Sequence, residues 1–256
     1  MKKIITYLIL VIFIIAGILF FLTRVPAVQD ALFQRLAQNL ISTAPNIFPE
    51  EDSLSALVCG SKSPLPHPTR AETCVMIKAG DETFIFDVGN KSIDNLRNWR
   101  VPLNQLNSIF ISHLHSDHIA ELPEIHMWNW IGTGRQSKLK VYGPEGINQV
   151  LNGFTEAFSL DWKYRNDHHG DKFAPLKAAG FDGYEITDFS KPVYESNGIV
   201  ITAFLVDHKP IDPSLAFKIE YKGRSIVLSG DTIYSEAILN NSKNVDVLFH
   251  EAFHKG

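Results

Sequence analysis

The sequence predicts a mixed α/β or α+β domain behind an apolar amino-terminal helix. Three observations carry this. Short apolar runs bounded by glycine, proline or asparagine recur along residues 54–249 and alternate with helical patterns. Several of these runs end abruptly in a carboxylate or a histidine, as strands do where a sheet carries its chemistry at the strand ends. Ile4 to Leu22 is a stretch of nineteen residues without a charge. The 256 residues, 45% of them hydrophobic, suffice for one sizeable core. A net charge of −4 gives no support for broad nucleic-acid binding, which wants a basic surface.

Lys2 and Lys3 precede the uncharged stretch and only Arg24 follows it closely. The stretch is long enough to cross a bilayer and longer than the apolar part of a signal peptide, so residues 1–24 are expected to be an uncleaved transmembrane anchor rather than a cleaved signal. The lysines put the rest of the chain outside the cytoplasm, in the periplasm or at the cell exterior. Residues 25–53 form a linker. Within it Ala27 to Ile41 patterns as a helix, with Val28, Leu32, Leu36 and Leu40 on one stripe, closed by Pro45 and Pro49.

The domain occupies residues 54–256. Strands are expected at Leu54 to Cys59, Thr73 to Ala79 and Thr83 to Val88, the last two joined at Gly80-Asp81. Ser108 to Ile111 is a buried strand, and Ile119 to Leu122 starts a helix. Lys138 to Tyr142 is a strand closed by Gly143-Pro144, and Glu145 to Phe158 a helix. Asp161 to Asp188 has no clean period and is expected to be an irregular insertion with short helices. Two hairpins follow. Val193 to Glu195 and Ile199 to Val206 flank Ser196-Asn197-Gly198, and Leu215 to Tyr221 and Ser225 to Leu228 flank Lys222-Gly223. A helix at Tyr234 to Asn240 and a strand at Val245 to Phe249 end the pattern.

The chemistry concentrates in Ile111-Ser112-His113-Leu114-His115-Ser116-Asp117-His118, where four metal-competent side chains fall within six residues. His113 and His115 can aim at one point from extended backbone, and Asp117 and His118 at a second one past the turn. Imidazoles with a carboxylate suit zinc, with manganese or iron as alternatives. Asp87, His208 and Asp231 stand at three further strand ends. A strand-end aspartate is as often a turn former, and a lone strand-end histidine is more often an ordinary surface residue.

The His-x-His-x-Asp-His run resembles the signature of metallo-β-lactamase-fold hydrolases, over about Leu54 to Gly256. That resemblance implies an α+β, four-layer αββα sandwich and two metals, expected to be zinc. It implies that His113, His115 and His208 hold one metal and that Asp117, His118 and Asp231 hold the other, with Asp231 bridging. Asp117 is alternatively a proton shuttle. Asp87 then supports the ligand histidines through hydrogen bonds. The run Phe249-His250-Glu251-Ala252 is similar to the His-Glu-Ala box of the phosphodiesterase branch, which includes ribonuclease Z and arylsulfatase-like members; there His250 donates a proton or steadies the transition state. Arg70, Arg165, His168 and His169 are further candidates for holding an anionic ester. Trp128, Trp130 and Trp162 read as core, with a pocket lining the lesser alternative.

The resemblance therefore implies a hydrolase of phosphodiesters or sulfate esters acting on a small anionic substrate, with homodimerisation common in such enzymes. A ribonuclease Z-type endoribonuclease is the alternative, and a non-catalytic metal-binding protein the second. Only a tight hairpin fits between His208 and Asp231, where some transfer-RNA-processing members carry a long arm. The pattern also wants one more histidine after the His-Glu-Ala box. His254 lies too close to His250 for that, so the expectation is a fragment lacking its carboxy-terminal end. Cys59 and Cys74 sit on neighbouring strands and are expected to be buried free thiols, although an oxidising compartment would permit a disulfide.

Overall fold

In the computed structural model residues 2–42, 47–49 and 51–252 are described; Pro45 and His254, named above, lie outside them. The chain divides into two units, Met1–Ala44 and Pro45–Gly256.

The first unit holds α1 (Lys2–Leu22) and α2 (Pro26–Ser42), with Pro26 at the first helical position, where its missing N–H costs nothing. Apolar side chains from Ile4 to Leu22 are exposed all round α1, Phe13 and Phe21 most of all. The expected single membrane-spanning helix is not supported. Among the described residues no single helix is long and apolar enough to cross a membrane. The chain turns at Thr23, Arg24 and Val25, and only Tyr7–Leu22 and Pro26–Leu32 together pass, by length and composition, across an 89° bend.

The second unit is a sandwich of two mixed sheets. The first sheet runs in the order β1 (Leu54–Gly60), β2 (Cys74–Ala79), β3 (Glu82–Phe86), β4 (Leu106–Phe110), β5 (Leu139–Gly143), β6 (Phe181–Glu185). β1, β2 and β3 pair antiparallel, and β3 through β6 pair parallel. The second sheet orders β11 (Val247–Phe249), β10 (Arg224–Leu228), β9 (Ile211–Tyr221), β8 (Ile199–His208) and β7 (Tyr194–Ser196). Both hairpins expected from sequence are present, β7–β8 and β9–β10.

Strand alternation divides the core in two. Met76, Ile85, Ile109 and Val141 face the helices α3 (Ser92–Asn98), α5 (Leu122–Thr133) and α6 (Ile147–His169), which contribute Ile93, Leu96, Ile125, Trp130, Leu151 and Trp162. Ile77, Phe84, Phe86 and Phe110 face the second sheet and meet Ile201, Leu215, Phe217 and Ile226. Phe86, Phe110, Tyr142 and Tyr184 are register partners on successive strands, and their rings stack 4.8–5.0 Å apart. α4 (Ser116–Ile119) is one turn beside the strand ends, and α7 (Glu236–Asn241) packs against β8. Trp130 and Trp162 are thus core, and Trp128 lies under the Arg97 guanidinium.

Two expectations change and one helix, α3, is not foreseen from the sequence. The segment expected to be irregular, 161–188, contains the last two turns of α6 and the whole of β6. α6 continues because Asp161–Arg165 and Lys163–Asp167 pair one turn apart on an otherwise solvated surface, and it stops at Gly170, φ 76°. α3 carries no strong apolar period; its free N–H groups are capped by Glu121, which accepts from Lys91 N and Ile93 N. Cys59 and Cys74 are not free thiols but a disulfide. A bulge between Val58 and Gly60 shifts the β1–β2 register and brings Cys59 against Cys74.

Candidate metal centre

β3 and β4 run parallel, and β8, β10 and β11 run parallel to one another. Their carboxyl ends deliver every residue of the site. Asp87 follows β3, His113 to His118 follow β4, His208 closes β8, Asp231 follows β10 and His250 follows β11. A Leu215 N–H donated to the Ser112 carbonyl, 2.9 Å, joins the two sheets beside the site.

Among the described residues two groups of ligand atoms converge. Those of His113, His115 and His208 lie within 4.8 Å of one another, and so do those of His113, His118 and Asp231. His113 serves both groups. Asp231 Oδ2 sits 3.6 Å from His118 Nε2 and 3.9 Å from His208 Nε2, between the two groups. Both Nε2 atoms are buried and have no hydrogen-bond partner. Buried polar atoms without partners are costly and rare. The Asp231 spacings are too wide for hydrogen bonds, while His113 Nε2 and His115 Nδ1 stand 2.9 Å apart, and this set of nitrogen and carboxylate donors fits a metal ion. Asp117, expected as a ligand with His118, belongs to neither group; its Oδ2 is 3.7 Å from His118 Nε2, and its side chain is buried at the cleft wall.

Asp87 organises the buried half of the site. It adopts φ 59°, a left-handed conformation that aspartate tolerates better than most residues. Its carboxylate accepts from Ser112 N and Ser112 Oγ, each 2.8 Å, and lies 2.9 Å from His118 Nδ1. His118 thereby presents Nε2 to the ligand group. Burial works against the charged His118 ring, but the carboxylates of Asp87 and Asp231 outweigh it and push it up to about 10. His113 is pushed down to about 3 by burial and by neighbouring His118. Burial raises the Asp231 carboxyl, yet the adjacent His118 ring and its charge carry it below the ordinary carboxylate range.

Glu251 fixes the loop that carries Asp231. Its carboxylate accepts from Thr232 N, 2.8 Å, and its own N–H donates to Ser229 Oγ, 3.1 Å. Gly230, φ 58°, is required there, because a Cβ would stand 2.5 Å from the Leu215 carbonyl oxygen. His250 donates Nδ1–H to the Glu251 carbonyl, 2.7 Å, so its neutral ring carries a bare Nε2. An open cleft of about 730 Å³ joins Asp87, Asp117, Asp231 and His250 to Arg70. The structure does not bring Arg165, His168 and His169 to this cleft. Arg165 pairs with Asp161, 2.7 Å, and the two histidine rings stand edge to face on α6.

Sequence reasoning missed Ser112 and His67. A serine at a strand end gives no signal of its own, and the two backbone bonds that His67 accepts connect residues two and three positions away inside a proline-rich loop. The box around His250 was legible, but not the part played by Glu251.

A family model described as anti-Pycsar protein Apyc1 matches residues 58–255. A ribonuclease Z of Mycobacterium bovis (strain BCG / Pasteur 1173P2) is 31% identical over 204 residues, 79% of this chain and 71% of that protein. Human tRNase Z, short form, has a similar structure, with a TM-score of 0.61 at 21% identity over 78% of each chain. The metallo-β-lactamase-fold protein YhfI of Bacillus subtilis gives a TM-score of 0.58 at 19% identity, over 76% of this chain and 69% of that one.

Proposed function

The chain belongs to the metallo-β-lactamase-fold hydrolase family of the anti-Pycsar protein Apyc1 and ribonuclease Z, and from that premise we propose that it is a metal-dependent phosphodiesterase. The observation that carries the proposal is the pair of buried, unpartnered Nε2 atoms of His118 and His208 flanking Asp231. His113, His115 and His208 would hold one metal, and His118 and Asp231 would contribute to a second, because the single free lone pair of a neutral His113 can serve only one ion; zinc is the ion that suits these donors best. Such ions supply positive charge for phosphoryl oxygens and acidify water.

The chain's own groups do the rest. Asp117 lines the cleft as a buried carboxylate and accepts the proton of the attacking water. His250, once protonated at the bare Nε2, passes a proton to the leaving oxygen. Asp87 keeps the His118 ring in one orientation throughout. The relatives support phosphodiester over sulfate-ester cleavage. They also favour RNA as substrate, the ribonuclease Z reading, because the 31% identity extends over most of both chains. The short β9–β10 hairpin between His208 and Asp231 favours a small diester instead.

The test is turnover of bis(p-nitrophenyl) phosphate and of a 3′-extended precursor tRNA by the metal-loaded chain, with Asp231→Ala as control. Cleavage of either substrate that disappears in the variant supports the proposal, and the ratio of the two rates chooses between the readings. A folded, metal-loaded chain inert on both would overturn it.

The exposed apolar surface of α1 and the Cys59–Cys74 disulfide support attachment to a membrane with the enzyme on its oxidising side. Recovery of the full chain in the soluble fraction of its host would refute that part.

A further inference from the structure

We infer that His67 is a substrate-binding residue that presents a hydrogen-bond donor of fixed direction to the phosphoryl group, an inference that rests on reading the cleft as a phosphodiester site. His67 and Arg70 line the same cleft as Asp117, Asp231 and His250. Both belong to the loop between β1 and β2.

That loop is held at its base and stiffened along its length. Ser61 N and Lys62 N both donate to the Ala71 carbonyl at 2.9 Å. Lys62 Nζ meets Glu72 Oε1 at 2.7 Å in a largely buried pair, and Glu72 Oε2 accepts from Asn90 N at 2.9 Å. Pro64, Pro66 and Pro68 stand at alternate positions and restrict the backbone between these anchors.

At the tip, His67 Nδ1 accepts two backbone N–H groups, from Thr69 at 3.2 Å and from Arg70 at 3.0 Å. A ring nitrogen that accepts carries no hydrogen, so the neutral ring has its proton on Nε2. Among the described residues nothing accepts that Nε2–H. The turn itself needs only an acceptor at position 67, which aspartate or asparagine would supply. What histidine adds is the second nitrogen, on an exposed residue that lines the cleft. The exposed Arg70 stands three residues on, and among the described residues no ion pair engages it. A guanidinium and an imidazole N–H on one preorganised loop suit the oxygens of a phosphoryl group.

The experiment compares His67→Asn and His67→Ala in the full, metal-loaded chain. Asparagine keeps an oxygen to accept the two amides and takes away the donor at the Nε2 position, its own amide N–H lying further back beside that oxygen; alanine removes both. His67→Asn is expected to raise KM for bis(p-nitrophenyl) phosphate and Ki for inorganic phosphate by the same factor, about tenfold, as for one lost hydrogen bond to a charged oxygen. Its kcat should stay within about twofold and its Tm unchanged. If His67→Asn matches the wild type in KM and Ki while His67→Ala is impaired, His67 only shapes the turn and the inference falls. If the wild-type chain cleaves neither the diester nor the precursor tRNA, the phosphodiesterase reading has failed, and calorimetric titration with inorganic phosphate decides separately. Weaker phosphate binding by His67→Asn sustains the role of His67, and equal binding ends it.

Discussion

Asp87 and His126 are both buried polar residues inside one fold, and they do opposite things. Asp87 faces the site, and its charge is what the His118 ring responds to. Asp87→Asn keeps the shape and the Ser112 contacts but removes the charge, so metal affinity should fall about 10–100-fold, read by competition with a chromogenic chelator. Unchanged affinity would mean that Asp87 serves only the turn. His126 faces the core, packed on Trp130, Trp162 and Phe181, and accepts the Gly180 N–H at 2.8 Å. Burial pushes it down to about 4. Above an unfolded value of 6.5 both states are neutral there. As pH falls from 6.5 toward 4 the unfolded chain takes up the proton first, so folding stability is lost across that window, by about 3 kcal/mol from this group. His126→Gln should flatten the acid limb of a Tm-against-pH curve; an unaltered limb would assign acid sensitivity elsewhere. The two residues were unequally legible. Asp87 ends an apolar strand and lends itself to a reading from the sequence, whereas His126 is one polar residue within a helix and acquires meaning only from its partners in space.

The elements that sequence misjudged share a physical cause, which is that long-range pairing overrides local pattern. β6 has a burial pattern with one buried residue in five, so no apolar run announces it; it exists because β5 offers an unpaired edge. The polar end of α6 is held by pairs one turn apart rather than by an apolar stripe. The disulfide depends on a register shift that no spacing of two cysteines encodes. By contrast the metal-binding run was legible because four of its groups are local, and the two hairpins because Asn197-Gly198 and Lys222-Gly223 adopt the positive φ their turns require. The disulfide closes a loop of 15 residues that includes the His67 turn. Cys59→Ser with Cys74→Ser should cost about 3 kcal/mol in urea unfolding and raise protease sensitivity within residues 61–73. An unfolding midpoint that does not move on reduction would show that the strands hold the loop without it.

At the scale of the whole domain, the site is where the two sheets meet. Phe84, Phe86 and Phe110 of the first sheet already pack on Phe217 and its neighbours in the second, so the sandwich does not depend on an ion for its core. The ligands nevertheless come from both sheets, His113, His115 and His118 from the first and His208 and Asp231 from the second. An ion held by both groups therefore binds the folded chain and has no comparable site in the unfolded one. At a free metal concentration about 100 times Kd this linkage contributes about 2.7 kcal/mol, about 5–10 °C in Tm for a domain of this size. Chelation should lower the Tm by that amount without loss of secondary structure. His208→Ala should lose only part of that shift, because His113, His118 and Asp231 remain, whereas His208→Ala with Asp231→Ala should behave as the chelated wild type does, because the first sheet alone offers a poorer cage. If the chelated chain, shown by elemental analysis to be metal-free, melts where the loaded chain does, then the ion contributes to chemistry only and the sheets meet without its help.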